Sequence, residues 1–350
     1  MKQQGSIFRS MGDRLLAIAF VLMAMLVIVG MTSGTTSASF TGTSTNPTNA
    51  MNSLTVQPPA AQNNASSAAA GVVQVSWTAT PTAPGTGHTL TYLVFRGPVG
   101  GPYSQVGSTS GLTYNDTPPS DGSYGYVIEA QITGGGSFTS SYSTAKTGLS
   151  DRTAPTMSIT CDSAACSSST WYNAAVSVTV SGSDSGTGMG SVTRNVDSAG
   201  QTSTGGASAT FSVSGDSASH SIAYFGTDAA GNSSGTATQT IKIDATAPTA
   251  PGGITLAAGS TSGTLNVSGT SAGTDALSGV AGYRVYYVQA STCPAAPFGA
   301  SQYFAGNPPA VPMVLTGLTT KQNYCVYVHT VDNAGNESVN SNIAGPVKAK

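Results

Sequence analysis

One series of short motifs occurs twice in this chain: Thr153-Ala-Pro155, Asp184-Ser-Gly186 and Asp228-Ala-Ala-Gly-Asn232, and then Thr246-Ala-Pro248, Asp275-Ala-Leu-Ser-Gly279 and Asp332-Asn-Ala-Gly-Asn336. The motifs keep their order, and the two Thr-Ala-Pro motifs lie about one small domain apart. A solenoid repeat is only a few tens of residues long, so a repeat of this length indicates tandem β-domains. Strings of similar modules usually span distance or bind partners.

The composition is typical of β-rich secreted proteins. Charged residues make up 7% of the 350 residues, against roughly 25% in ordinary soluble domains, and Gly, Ser and Thr take their place. The formal net charge is −2, and no basic stripe is present that could neutralise phosphates. We therefore expect no nucleic-acid partner.

The N-terminus has the pattern of an export signal. Lys2, Arg9 and Arg14 precede an uninterrupted apolar run from Leu15 to Met31. Positive charge before an apolar segment keeps the N-terminus in the cytosol and sends the following chain across the membrane. The run is short for a membrane span and long for a signal peptide, so a cleaved leader and a retained anchor both stay open. In either case we expect an extracellular or cell-surface location.

Strand signals begin after residue 70. Val73, Val75 and Trp77 alternate with polar residues, which predicts a half-buried strand. Tyr92-Leu-Val-Phe-Arg96, Gly101-Pro-Tyr103 and Tyr124-Gly-Tyr-Val-Ile-Glu-Ala130 follow. As a set, these features resemble a fibronectin type III domain over about residues 57–150. The succession of short strands and regular turns by itself predicts a β-sandwich.

The two later modules carry similar signals. Leu315-Thr-Gly-Leu318 followed by Tyr324-Cys-Val-Tyr-Val328 again resembles fibronectin type III, although this module has no early Trp. In the module before it, Val176, Val178 and Val180 alternate with polar residues. That module resembles the bacterial Ig-like domains that carry Asp-x-Ser-Gly and Asp-x-Ala-Gly-Asn turns.

The predicted fold is all-β, with tandem Ig-like and fibronectin type III β-sandwiches after an N-terminal hydrophobic helix. We predict five segments: a signal peptide or N-terminal membrane anchor over 1–38, a Ser/Thr/Asn-rich linker over 39–70, a fibronectin type III-like domain over 71–150, a bacterial Ig-like domain over 151–246 and a fibronectin type III-like domain over 247–350. Pro155 and Pro248 should stiffen the short junctions.

The front of the predicted linker has a second resemblance. Ala38-Ser-Phe40, the Thr/Ser/Asn run after it and Leu54-Thr-Val56 are similar to the start of TasA/camelysin-type surface fibre proteins. The rest of the chain does not follow that family's single long domain. The resemblance implies self-assembly in which residues 39–56 add a strand to the sheet edge of a second copy. Their Pro, Asn and Ala content favours a flexible spacer instead.

The four cysteines are predicted to form two local disulfides in an oxidising compartment, Cys161 with Cys166 and Cys293 with Cys325. Zinc is the alternative for clustered cysteines, but Cys-x4-Cys without a nearby His is a weak match to a zinc site. We expect Tyr324 to face the core of its sandwich, while Cys325 points outward to reach Cys293.

The repeated aspartates are the main candidate site: Asp184, Asp228, Asp275 and Asp332. Each carboxylate can accept backbone N–H groups in an Asx turn. The alternative is calcium, which takes about six or more oxygen ligands, whereas each local motif offers one or two carboxylates. This count favours the turn role, and we expect neither a metal nor another cofactor.

The sequence motifs do not predict catalysis. Gly269-Thr-Ser-Ala-Gly273 has the letters of a nucleophile elbow, but it lies in a Gly/Ser/Thr turn with no helix after it. His220 lies near Ser217, yet the sequence suggests no acid that would orient it. We therefore predict that the protein is not an enzyme.

Taken as a sequence, the chain predicts a secreted or membrane-anchored cell-surface protein that serves adhesion, spacing or extracellular protein binding. Its partner would be an unidentified extracellular protein or polysaccharide, with the membrane added if the segment from Leu15 to Met31 is retained. Two alternatives stay open. One is a subunit of an extracellular fibre or pilus-like structure, and the other is an accessory carbohydrate-binding protein of a secreted hydrolase system.

Overall fold

The computed structural model describes residues 55–59, 62–306 and 312–350. These residues form 24 strands and one single-turn 3-10 helix, Ala69–Gly71, so the predicted all-β class is confirmed. No helix within the described ranges is long and apolar enough to cross a membrane. The predicted export segment, Leu15 to Met31, and residues 39–54 of the predicted assembly segment lie outside the described residues.

The strands follow one another with short connections. The first group is β1 (Gln62–Ala68), β2 (Val72–Trp77), β3 (Thr89–Gly97), β4 (Ser104–Thr109), β5 (Thr113–Asp116), β6 (Gly122–Thr133), β7 (Ser137–Thr139) and β8 (Lys146–Ser150). The second is β9 (Thr156–Cys161), β10 (Ala164–Ala165), β11 (Trp171–Tyr172), β12 (Val176–Ser183), β13 (Met189–Val196), β14 (Gln201–Gly205), β15 (Ser208–Val213), β16 (Ser217–Asp228) and β17 (Ala237–Ile243). The third is β18 (Thr255–Ala258), β19 (Leu265–Ser268), β20 (Val280–Gln289), β21 (Ala300–Ala305), β22 (Met313–Leu315), β23 (Asn323–Asp332) and β24 (Ala344–Lys348).

Backbone contacts divide the chain into two compact units. Of the described residues, one unit comprises those up to Asn64 together with 76–114 and 125–146, and the other comprises 65–75, 115–124 and those from 147 to 350. Both Thr-Ala-Pro motifs and all the repeated aspartates belong to the second unit.

Strands β1 to β8 form two sheets. One has the order β1-β2-β5, and the other has the order β4-β3-β6-β7 with β8 also paired to β6. Val73, Val75 and Trp77 are the buried residues of β2, as their period-2 pattern predicts. Trp77 packs edge-on against Tyr92, with 5.5 Å between the ring centroids.

Strand β1 lies inside the segment 39–70 that composition predicts to be a linker. Its sequence, Gln-Asn-Asn-Ala-Ser-Ser-Ala, has no apolar alternation, and therefore carries no strand signal. Pairing with β2 nevertheless places it in a sheet, because ladder hydrogen bonds use backbone groups that every non-proline residue has.

Strands β9 to β17 form a second pair of sheets, in the orders β10-β9-β12-β15 and β11-β17-β16-β13-β14. Their shared core contains Val178 from one sheet and Val192, Ile222 and Ile241 from the other. The alternation predicted for β12 is confirmed, since Val176, Val178 and Val180 are all fully buried. Two sheets that enclose an apolar core in this way form a β-sandwich.

Strands β18 to β24 form a third pair, a three-stranded sheet β18-β19-β22 and a four-stranded sheet β21-β20-β23-β24. The core between them contains Leu265, Val267 and Leu315 from the smaller sheet. Tyr324 and Val326 enter this core from β23, as the sequence predicts. This arrangement agrees with the sandwich expected for the third module.

The structure contains both predicted disulfides, Cys161–Cys166 and Cys293–Cys325. Cys325 lies on the face of β23 opposite Tyr324, but the expectation that it points outward needs correction, because Cys325 is fully buried. It belongs to a small second cluster with Phe298 and Tyr327. The loop that carries Cys293 packs over this face, and β-strand alternation alone could not reveal that cover.

Removing the Cys293–Cys325 disulfide should destabilise the protein more than removing Cys161–Cys166. The sequence separations are 32 and 5 residues, for which the chain-entropy model gives about 4 and about 2 kcal/mol. Denaturant unfolding of the two double Cys→Ala variants measures both losses. Equal losses, or a larger loss for the short loop, would contradict this expectation.

Candidate metal centres at the two Thr-Ala-Pro junctions

Each Thr-Ala-Pro motif is preceded by an aspartate that the sequence analysis did not select. Asp151 stands two residues before Thr153, and Asp244 stands two residues before Thr246. Only 1% of Asp151 and 0% of Asp244 are exposed. The signal was present in the sequence, because both copies read Asp-x-Thr-Ala-Pro.

The structure brings the repeated aspartates together in two clusters. The first consists of Asp151, Asp184 and Asp228, and the second of Asp244, Asp275 and Asp332. In each cluster, one carboxylate oxygen per residue lies within 4.8 Å of the others. The sequence predicted four of these six residues as isolated turn aspartates, and the two junction aspartates make each cluster a group of three.

The last aspartate of each cluster holds a tight turn. Asp228 accepts hydrogen bonds from the backbone N–H of Gly231 at 2.6 Å and of Asn232 at 2.7 Å. Asp332 accepts the backbone N–H of Asn336 at 2.8 Å. The turn needs glycine, because Gly231 and Gly335 adopt φ values of 99° and 92°, a region that residues with a Cβ rarely enter.

The asparagine that ends each turn links the turn to the junction. The Asn232 side-chain amide donates to Asp228 at 2.7 Å and to the main-chain oxygen of Asp151 at 2.9 Å. The Asn336 amide donates to Asp332 at 2.8 Å and to the main-chain oxygen of Asp244 at 2.7 Å. The two junctions therefore use the same contact.

The middle aspartate of each cluster has all its donors on one oxygen. Asp184 accepts the N–H groups of Gly186 at 3.0 Å and Gly188 at 2.8 Å on Oδ2, while Oδ1 is buried without any hydrogen-bond partner. Asp275 accepts three hydrogen bonds on Oδ1, including Gly279 N–H at 2.6 Å. No residue in the described part of the chain donates a hydrogen bond to Asp275 Oδ2.

The junction aspartates connect to the loop that carries the middle aspartate. Asp151 Oδ2 accepts both the N–H and the hydroxyl of Thr187 at 2.7 Å. Asp244 Oδ2 accepts the N–H of Ser278 at 2.9 Å. Each junction aspartate also accepts the N–H of the threonine of its own Thr-Ala-Pro motif on Oδ1, at 3.1 Å in both cases.

A further aspartate from the preceding part of the chain holds each junction, and no motif of the sequence marks it. Asp121 accepts the Arg152 N–H at 3.0 Å and the Thr153 hydroxyl at 2.9 Å. Asp216 accepts the Ala245 N–H at 2.7 Å and the Thr246 hydroxyl. These hydrogen bonds, from Thr246 first and then Ala245, lower the pKa of Asp216 below its ordinary value.

Each cluster concentrates negative charge. With its three carboxylates ionised it carries a charge of −3, and none of the six carboxylates forms an ion pair within the described ranges. Two unit charges 4.8 Å apart repel by about 3 kcal/mol at an effective dielectric constant of about 20. Backbone N–H groups offset part of this cost, because hydrogen bonds to a carboxylate favour its charged form.

The observed hydrogen bonds are those of Asx turns, and the same oxygens are suitable ligands for a hard cation. Carboxylate and main-chain oxygens are what calcium binds, whereas zinc prefers nitrogen and sulfur. The sequence analysis disfavoured calcium because each local motif offers only one or two carboxylates as ligands. Three carboxylates are present at each junction.

Replacing the linking asparagine should weaken its junction. Asn232→Ala removes the hydrogen bonds to Asp228 and Asp151, and it leaves a buried carbonyl and carboxylate short of a donor, so we expect a loss of about 1–3 kcal/mol. Asn336→Ala should act in the same way at the other junction.

Thermal and denaturant unfolding in chelator, where no metal contributes, measures these losses. Asn195→Ala is the matched control, because Asn195 is half-buried and its side chain accepts, among the described residues, only the Gly200 N–H of its own turn. A loss for Asn232→Ala no larger than that of this control would contradict the linking role.

The candidate catalytic groups are engaged in structural contacts. The Ser271 hydroxyl accepts the Gly252 N–H at 3.1 Å in an isolated bridge between these two residues. His220 does have an orienting acid, contrary to the sequence analysis, because its Nδ1 lies 2.7 Å from Asp197. Its Nε2 is bound to the Gly215 carbonyl at 2.9 Å and is therefore not free to accept a proton from Ser217.

Both ring nitrogens of His220 face acceptors, which favours the doubly protonated imidazolium. Burial alone would lower the pKa of His220, but the hydrogen bonds to Gly215 and Asp197 and the charge of Asp197 outweigh it and raise the pKa above 6.5. Burial alone would raise the pKa of Asp197, but the hydrogen bonds from His220 and Ser221 outweigh burial and lower this pKa below its ordinary value.

His220 should make stability depend on pH. A raised pKa in the folded state means that the stabilisation is fully present below pH ~6.5 and is lost as the pH rises through the folded-state pKa. The free energy of unfolding of the wild-type chain, taken relative to His220→Gln, should therefore fall as the pH rises above ~6.5 and through the raised folded-state pKa. His88→Gln is the control, because His88 is exposed and its ring forms, among the described residues, a single hydrogen bond, to the carbonyl of Thr86. A wild-type advantage over His220→Gln that stays constant with pH would contradict the assignment.

Comparison with known proteins gives no family assignment. No protein-family model and no curated protein matches the sequence. Among solved structures, titin domains A168–A170 match with 12% identity and a TM-score of 0.39, covering 85% of this chain and 96% of that one. Chicken CNTN1 FN1–FN3 domains match with 14% identity and a TM-score of 0.37, covering 84% of this chain and 99% of that one.

Fibronectin(III)-like modules of Clostridium thermocellum CbhA match with 18% identity and a TM-score of 0.30, covering 54% of this chain and 93% of that one. These scores are too low to support an argument about family or function. The assignment of the fold as β-sandwiches therefore rests on the strand pairing and the enclosed cores of this chain.

Proposed function

We propose that this protein is a non-enzymatic extracellular or cell-surface protein whose tandem β-sandwiches act as a spacer and present surfaces for binding. The observation that carries the proposal is the repeated junction. Asp121, Asp151 and Asn232 hold the first Thr-Ala-Pro segment through the same kinds of contact by which Asp216, Asp244 and Asn336 hold the second. A chain that fixes each junction in the same way is suited to set the spacing between modules.

Three further observations support an extracellular location. The chain contains two disulfides, which persist in oxidising compartments. Its charged fraction is only 7%. A basic and then apolar N-terminal sequence, from Lys2 to Met31, is suited to export.

The first test is accessibility on intact cells. External protease should digest the region 151–350 on cells that produce the chain, while a cytosolic marker protein stays intact. A variant that lacks residues 1–38 is the matched control and should be protected until the cells are lysed. Protection of the full chain on intact cells, followed by digestion after lysis, would contradict the extracellular placement.

A deletion tests whether the junctions are interchangeable. Removing residues 152–244 joins Asp151 to Ala245 and recreates the Asp-x-Thr-Ala-Pro sequence. Because the two junctions use equivalent contacts, we expect the shortened chain to fold and to remain exposed at the cell surface. Removing residues 172–264, a segment of the same length, cuts through two sandwiches and should give an unfolded or degraded chain. Equal failure of both deletions would contradict the modular spacer.

A further inference from the structure

We propose that each junction is a calcium-binding site, formed by Asp151, Asp184 and Asp228 at the first junction and by Asp244, Asp275 and Asp332 at the second. These sites would make the proposed spacer dependent on calcium. The inference rests on the proposed function in one respect, because an extracellular location exposes the sites to calcium at millimolar concentration. Extracellular calcium modules typically bind with dissociation constants of about 10⁻⁴ to 10⁻³ M.

The first observation that points to a ligand is the oxygen without a donor. Asp184 Oδ1 is buried and has no hydrogen-bond partner, although its twin Oδ2 receives two N–H groups. A buried carboxylate oxygen without a partner is costly. The turn is already complete through Oδ2, so the turn role leaves Oδ1 unexplained, whereas a cation in the cluster would satisfy it.

The second observation is that the same asymmetry occurs at the other junction. All donors to Asp275 reach Oδ1, and Oδ2 receives none from the described residues. The donors themselves differ, because a threonine, Thr187, contacts the first junction aspartate and a serine, Ser278, contacts the second. The shared feature is a group of three carboxylates, one oxygen of each lying within 4.8 Å of the other two.

A turn function gives no reason for this convergence. One carboxylate per turn can accept the local N–H groups, as Asp228 does when it accepts the N–H groups of Gly231 and Asn232. The third, buried carboxylate holds its own Thr-Ala-Pro segment through the N–H of Thr153 or Thr246. That contact does not require it to approach two other carboxylates, and the approach adds repulsion. A divalent cation between the carboxylates would attract all three and so compensate for their mutual repulsion.

The chemistry of the donors favours calcium over other cations. The candidate ligands in both clusters are carboxylate oxygens, whereas zinc prefers nitrogen and sulfur ligands. Three carboxylates, with water to complete the shell, suit the six to eight oxygen ligands of calcium, whereas magnesium keeps several waters and usually binds one or two carboxylates.

The decisive variants are Asp184→Asn and Asp275→Asn. An asparagine keeps one oxygen, which can still accept the N–H groups of Gly186 and Gly188 or of Gly279, so the turn is retained. The second oxygen becomes an NH2 group, which cannot bind a cation. The substitution therefore separates the turn function from the metal function.

The experiment is calcium binding to the purified full chain, by native mass spectrometry and isothermal titration calorimetry with CaCl2 after removal of metal by chelator. We expect two calcium ions per wild-type chain, one in each single variant and none in the double variant. The melting temperature should rise with calcium in the wild type and should not respond in the double variant. Asp216→Asn is the matched control, since it removes the same charge beside the second junction but should still leave two ions bound.

The results that would overturn the calcium sites differ from those that would overturn the proposed spacer function. Absence of calcium binding by the wild type at millimolar concentration, or two ions retained by the double variant, would overturn the calcium sites. Equal binding of magnesium, with MgCl2 as the probe, would overturn the assignment to calcium. None of these results bears on the protease accessibility of the modules or on the deletion of residues 152–244.

Discussion

The burial of one carboxylate at each Thr-Ala-Pro junction is the constraint on which the arrangement of the repeats depends. Asp151 and Asp244 are at most 1% exposed, and a buried carboxylate is stable only when donors or a cation surround it. The donors come from far along the chain, because Thr187 and Ser278 contact these aspartates 36 and 34 residues later. A connection that composition would class as a linker is therefore tied to the sandwich that follows it.

The linking asparagines connect each junction to a turn that comes late in the sequence of the same sandwich. Asn232 and Asn336 each complete a turn with a glycine at positive φ and also contact the junction main chain. The two junctions differ at the variable position, where Arg152 forms an ion pair with Asp121 and Ala245 has no charge. The ion pair is partly exposed and so contributes little to stability. The two junctions share the same aspartates and asparagines, and these residues are therefore the candidates for a common function.

The sequence predicted the strands best where burial imposes a period of two. Val176, Val178 and Val180 are buried as expected, and the cysteine pairs are those that locality suggests. Strand β1 was missed because its side chains carry no alternation and its position depends on pairing with β2. The cover over Cys325 was missed because it comes from a loop, which strand periodicity does not describe.

The candidate site was predicted in part. Asp184, Asp228, Asp275 and Asp332 stand out because glycine-containing turns surround them. Asp151 and Asp244 stand in short connections without periodicity, and their approach to the other aspartates is set by tertiary packing. The acid beside His220 was missed for the same reason, since Asp197 lies 23 residues away in sequence. Repetition of Asp-x-Thr-Ala-Pro was the one signal in the sequence that could have revealed the third carboxylate of each cluster.

The most direct measurement of the central claim is a crystal structure of the protein grown with calcium, with anomalous scattering data that identify the ion. The account predicts one anomalous peak at each junction, within about 2.3–2.6 Å of Asp184 Oδ1 and of Asp275 Oδ2. Intact clusters that show only ordered water between the carboxylates, with no anomalous peak at either junction, would contradict it.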